Sequence, residues 1–203
     1  MEVNKSLLAA IQHRRTYYAI TDKSPVSDKE LERILKFTIL NIPSAFNSQS
    51  TRIVLLLDDN HKRLWELTKQ SLKKIIPESN FLATETKINS FEAGYGTILF
   101  YEDQQTVKGL QEQFSAYKDN FPVWSHQTSA MHQFAIWVLL EDIGFGVSLQ
   151  HYNPLIDEDV QKEWNINPDW KLIAEMPFGL PSASPGEKEF LPVDERIKVF
   201  KGK

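Results

Sequence analysis

Three short clusters in this chain carry side chains able to bind a ligand. His13-Arg14-Arg15-Thr16 closes an apolar stretch, and two guanidiniums beside a hydroxyl can grip a phosphate through several charge-assisted bonds. The plainer alternative is a set of cations complementing a helix C-terminus. Pro43-Ser44-Ala45-Phe46-Asn47-Ser48-Gln49-Ser50 is a loop of small, hydroxyl and amide residues. Its polar groups could bond the edge of a planar heterocycle or simply cap an ordinary loop. Gly146 to Pro154 leaves a short apolar run through Leu149, Gln150, His151 and Tyr152. Ligand sites are common where strands end in loops, although Asn153-Pro154 reads equally well as a turn.

Several other chemistries are excluded. The chain has no cysteine, so a disulfide framework, thiolate metal sites and a cysteine nucleophile all fall. Gly94-Tyr95-Gly96 and Gly144-Phe145-Gly146 lack the third glycine of a dinucleotide fingerprint, Leu149 standing where it would follow Gly144. There is no phosphate loop and no G-x-S-x-G elbow. The five histidines form no H-E-x-x-H pair, and His126 and His132 fall on different helix faces, so packed or solvated histidines are expected rather than a metal site. With 23 Lys+Arg against 27 Asp+Glu and a net charge of −4, there is no basic field for nucleic acid. The apolar run Phe134 to Leu140 is too short to cross a bilayer, and the N-terminal stretch reads as an amphipathic helix rather than a signal peptide. A soluble, cytoplasmic protein is expected, without membrane or nucleic-acid partners.

The elements that must position these clusters are legible in outline. A length of 203 residues reads as one domain, 1–203, burying roughly 70% of its unfolded surface. A first helix is expected from Asn4, with Leu7, Leu8 and Ile11 on one face. Ser27 to Glu30 forms a capping box before Leu31, Ile34 and Leu35. Arg52 to Leu57 reads as a strand buried on both faces, and Asn60 as the cap of a helix carrying Leu64, Leu67, Leu72 and Ile75 up to Pro77. Further strands are expected at 96–101, 146–150 and 170–176, with a helix through Val107, Leu110 and Phe114 between the first two. The stretch 125–143 is apolar all round its axis, which places it centrally or in a subunit interface, and Gly144 stops it. After Gly179 the chain is proline-rich and aperiodic, an arm that must lie on something else. Helices interleaved with strands indicate an α+β sandwich of helices around a central mixed, mostly antiparallel sheet. The arm and the apolar helix point to a homodimer.

Taken together, the blocks HRRTYYAI (13–20), PSAFNSQSTRIVLLL (43–57), WSHQTSAMHQFAIWVLLEDIGFGVSLQHYNP (124–154) and FGLPSASPGEKEFLPVDERIKVF (178–200) resemble the nitroreductase family of flavin-dependent oxidoreductases. Within it they look most like the branch of fatty-acid-repression-mutant and copper-induced nitroreductases. The resemblance implies a homodimer with FMN bound tightly at the subunit interface and an exchanged C-terminal arm, 178–203, lying over the partner. Carried over by position, Arg14, Arg15 and Thr16 would hold the phosphate and ribityl end, joined by Lys188 and Arg196. Ser44, Asn47 and Gln49 would approach the isoalloxazine from the partner, while Leu149 and Gln150 would pack against and bond the ring. Tyr18 and Phe190 depart from the family, standing where relatives often carry further basic residues. The implied activity is ping-pong transfer from NADH or NADPH to flat quinones or nitroaromatics, with a link to oxidative or metal stress. The flavin does the chemistry, and no side chain is needed as a catalytic nucleophile or base. Trp124, Tyr152, Phe46 and Phe91 are aromatic candidates for a substrate wall or for plain core. The rival classes are a flavin-binding regulatory or sensor protein with little turnover, and a dimeric scaffold without cofactor.

Overall fold

A computed structural model describes residues 5–202. The helix α1 runs Leu7–His13, with Ser6 Oγ accepting from the Ala9 N–H as its cap. The expected start at Asn4 lies outside the described residues. The strand β1 is the two-residue Ile20–Thr21, and α2 (Asp28–Asn41) begins as its capping box demands, with Ser27 Oγ accepting from the Glu30 N–H. After a 3-10 turn at Ala45–Asn47 come β2 (Thr51–Leu57) and α3 (Asp58–Lys73). Asn60 is not the cap of α3: the helix follows β2 without a linker and has no side-chain cap, and Asn60 Oδ1 instead accepts from Trp164 Nε1 at 2.8 Å. Then follow α4 (Glu78–Glu92), β3 (Gly96–Asp103), α5 (Gln104–Gln113), α6 (Phe121–Asp142), β4 (Gly146–Val147), α7 (Asp157–Glu163) and β5 (Trp170–Pro181). Gly144, at φ 101°, ends α6 in a conformation that favours glycine.

The sheet order is β1-β5-β3-β2, with β4 also on β5, and every pairing of named strands is antiparallel. A lone parallel bridge, Thr16 to Val147, makes the sheet mixed and mostly antiparallel as expected. The strand β3 is central and buried from Gly96 to Glu102, whereas β2 lies at the edge and is half-buried from Arg52 to Leu55, less enclosed than its apolar run predicts. Successive strand residues face opposite sides. One side, through Leu99, Tyr101 and Leu172, packs on Leu64 and Trp65 of α3, Ile88 and Phe91 of α4, and Val160 of α7. The other, through Ile98, Phe100, Ala174 and Met176, packs on Leu31 of α2 and on Ile136 and Leu140 of α6. This is the helix–sheet–helix sandwich expected of the α+β class.

The strand β5 runs to Pro181, so the arm begins at 182 rather than 178. Its extension is enforced by β1: a Cβ on Gly179 would lie 2.1 Å from the Thr21 carbonyl oxygen, so the two strands meet only where there is no side chain. The amphipathic face expected of α1 is real but points outward, with Leu7 and Leu8 exposed. The long α6 buries Ile136, Val138 and Leu140 while Val123, Met131 and Phe134 remain open.

Candidate functional site

The bridge between Thr16 and Val147 joins two of the three sequence clusters. The Tyr17 N–H donates to the Val147 carbonyl at 3.0 Å, and Gly146 lets Tyr17 sit so close that a Cβ there would meet its ring stem at 3.0 Å. The residues following α1 are therefore fastened beside the start of the Ser148–Gln150 segment. That segment is itself fixed to β5: the Ser148 N–H donates to the Pro177 carbonyl at 3.1 Å, and the Gln150 N–H to the Glu175 carbonyl at 2.7 Å.

A cavity of about 490 Å³ opens where α1 ends, lined by Arg14 to Ala19 on one wall and Ala183 to Lys188 on the other. Arg15 donates to the Gly186 carbonyl, which ties the start of the arm to the end of α1. Arg14 lies with its guanidinium 4.6 Å over the Trp137 ring, and its Nε is buried without a partner. Ser148 Oγ and Trp137 Nε1 are orphaned in the same way. Three cations, Arg14, Arg15 and Lys188, face a single acid, Glu187, among the lining residues. In a chain of net charge −4, this local positive excess suits an anion with several oxygens. The Lys188 ammonium sits 5.0 Å from the Phe190 ring centre, where the aromatic face substitutes for part of its hydration. Arg196 stands apart, exposed in the arm and outside this lining.

The third cluster lies elsewhere in the same chain. Ser44 and Gln49 line a second cavity of about 450 Å³ with Leu35, Ile39, Ile53 and His132, between α2 and the edge strand β2. The loop is strained: Phe46, Asn47 and Gln49 take φ of 56°, 50° and 49°, which side-chain-bearing residues rarely adopt. Ser44 Oγ accepts from the Gln49 N–H at 3.0 Å and holds the turn, while the Phe46 ring stacks on Trp124 at 5.7 Å and also touches Phe114, Tyr117 and Phe121. Such strain persists only where surrounding structure imposes it, and it gathers at functional loops. Of the four aromatic candidates, Phe46 and Trp124 flank this loop. Phe91 is fully buried, and Tyr152 packs edge-on against Trp65 in the core.

Two buried polar groups stand out: His132, packed as one of the sequence expectations had it, and Glu175, which sequence reasoning passed over. His132 donates its Nδ1 proton to the Thr128 carbonyl at 2.9 Å, since a carbonyl can only accept, and burial lowers its pKa, leaving a neutral ring on the second cavity. Glu175 lies wholly buried in β5, and desolvation raises its pKa to about 8. Its one sequence signal is a lone acid inside the apolar run Leu172–Phe178.

This geometry has close relatives. The family model described as "Nitroreductase family" matches residues 11–180. The nitroreductase FRM2 of Saccharomyces cerevisiae is 31% identical over 193 residues, covering 94% of this chain and 96% of that protein. The nitroreductase CinD of Lactococcus lactis, solved with nicotinic acid, is 42% identical and superposes with a TM-score of 0.89 over 97% of this chain and 100% of that one. CinD solved with 4-nitrophenol gives 42% identity and a TM-score of 0.88 at the same coverage. A nitroreductase-like protein from Desulfovibrio desulfuricans, solved with FMN, shares the fold at 17% identity, with a TM-score of 0.67 over 97% of this chain and 99% of that one.

Proposed function

Because the chain belongs to the nitroreductase family, we propose that it is an FMN-dependent oxidoreductase of a homodimer. It takes electrons from NADH or NADPH and passes them to nitroaromatics or quinones in alternating half-reactions. The observation that carries this reading is the convergence of Arg14, Arg15 and Lys188 on one cavity, with the buried Arg14 Nε lacking any partner. The residues present fit FMN: guanidiniums and an ammonium for the phosphate, the Thr16 hydroxyl beside them, and the Ser148–Gln150 segment next along the sheet. FMN supplies the two-electron redox chemistry when bound. The protein's part is to hold the anionic tail, to present Leu149 and Gln150 to the ring, and to exclude water with its aromatic and apolar walls.

The homodimer is supported by what a single chain leaves open. Its surface is 12,477 Å², against about 9,800 Å² for a compact monomer of this mass. Large apolar side chains stay exposed on α1, α2 and α6 and on the arm, where Phe190, Leu191, Val193, Ile197, Val199 and Phe200 are open. An apolar groove beside the edge of β2 that carries no further strand among the described residues suits an extended arm from a second copy. Such an exchange would bring the partner's strained loop, with Ser44, Asn47 and Gln49, to the flavin. No helix among the described residues is long and apolar enough to cross a membrane.

The test is the visible spectrum of freshly purified protein, followed by NADH or NADPH oxidation with 4-nitrophenol or a quinone as acceptor. A yellow dimer that turns over supports the proposal. Colourless protein that gains no thermal stability from added FMN refutes it, because a ligand bound to the native state must stabilise that state. Flavin binding without turnover would leave the sensor reading in its place.

A further inference from the structure

The reading above gives Glu175 no task. It pairs with Leu99 in the β5–β3 register, while its neighbours Ala174 and Met176 belong to the α2–α6 side of the sheet. Alternation therefore puts its carboxyl on the opposite side, with Tyr101. There, Oε2 accepts from the Tyr152 N–H at 2.9 Å, and Oε1 is buried without a partner. The backbone of Glu175 exchanges two hydrogen bonds with Gln150, at 2.7 and 2.9 Å. One residue thus grips both ends of the span from Gln150 to Tyr152. The titratable groups facing it are Tyr101 on β3, Asp157 on α7 and Tyr152 in the loop, while Lys171 acts on Asp157 and Tyr18 on Tyr152. The Tyr101 hydroxyl and Asp157 Oδ1 are also buried and unpaired. Burial holds the Glu175 carboxyl at about 8, so it is neutral at pH 7.

We propose that Glu175 is the positioning residue of the Leu149–Tyr152 segment, its protonation state setting the strength of the side-chain bond that fastens this segment to the sheet and, through it, the segment's hold on a flat ligand. The ligand half of this inference rests on the flavin reading, while the bond itself does not. A carboxylate accepts a charge-assisted bond about twice as strong as a neutral one. Protection of the Tyr152 amide therefore rises as pH climbs through the carboxyl's titration. Global stability moves the other way. The folded carboxyl titrates above its unfolded value, so the native state binds the extra proton and loses stability as pH rises toward 8. A merely structural role would move both in the same direction.

The experiment compares wild type with Glu175→Gln, whose amide oxygen can accept from Tyr152 at every pH. Amide exchange at Tyr152, corrected for the intrinsic rate, is measured without flavin from pH 7 to 9, and FMN affinity is measured over the same range by fluorescence quenching. In wild type, protection and affinity rise together by about five-fold. In the variant both stay flat. Identical exchange profiles in the two proteins overturn the inference whatever FMN does. Divergent exchange profiles with parallel FMN profiles overturn its ligand half. A wild type that shows the exchange step but binds no FMN upholds the bond and sinks the flavin reading instead.

Discussion

Replacing Phe134 by Asp tests the dimer at its most exposed assumption. Phe134 lies on α6 with Val123 and Met131, a spacing that puts all three on one helix face, and it is 45% exposed in the single chain. A phenylalanine side chain offers about 200 Å² to bury, so roughly 90 Å² remains for a partner, worth about 2 kcal/mol. A two-fold interface counts the residue twice, about 4 kcal/mol in all. That is close to a thousandfold in dissociation constant. Phe134→Ala removes this transfer contribution. Phe134→Asp removes it and adds a desolvated, unpaired carboxylate on each side, a further cost of several kcal/mol per charge. Sedimentation velocity over a range of concentrations should find wild type dimeric, Phe134→Ala dissociating on dilution and Phe134→Asp monomeric, with FMN lost in step. Leu82→Asp, at an exposed position on α4 against the other side of the sheet, should leave assembly unchanged. A Phe134→Asp protein that stays dimeric at nanomolar concentration would show that this face is not the interface.

Arg14→Ala should lower retained FMN at least tenfold while the dimer persists, because it removes a charge-assisted phosphate donor, and normal flavin content in that variant would refute the phosphate role. His61 should make the fold acid-sensitive. Its Nε2 donates to the Glu92 carbonyl at 3.1 Å, its Nδ1 lies 2.9 Å from Thr97 Oγ1, and burial pulls its pKa from 6.5 to about 4. The unfolded chain binds the proton first, so stability is full above pH 6.5 and falls by about 3 kcal/mol as pH drops to 4. Denaturant unfolding of wild type and His61→Gln should converge over that window, and parallel curves would exclude His61 as the source.

What the sequence announced and what it hid divide along a physical line. Signals confined to a few neighbouring residues were legible: the Ser27 cap of α2, the apolar run of β3 and the Gly144 stop after α6 all stand in the structure. The 15-residue helix α4 was not, because Phe81, Ile88 and Phe91 are its only buried side chains and too sparse a set to make a period. Nor was the two-residue β1, which exists only because Gly179 admits the Thr21 carbonyl. At the candidate site each cluster could be picked out by composition, but their grouping could not. A lone parallel bridge from Thr16 to Val147 and the Arg15 bond to Gly186 decide that 14–19 and 183–188 share a cavity while Ser44 and Gln49 line another. Glu175 shows the same limit from the other direction. A carboxylate amid Leu, Ile, Ala, Met and Phe reads as an anomaly in the sequence, and only the Tyr152 N–H supplied by a loop 23 residues away gives it a task. Side chains that break their local pattern are therefore the ones to follow into the fold: the break costs stability, and whatever justifies that cost must come from a distant part of the chain.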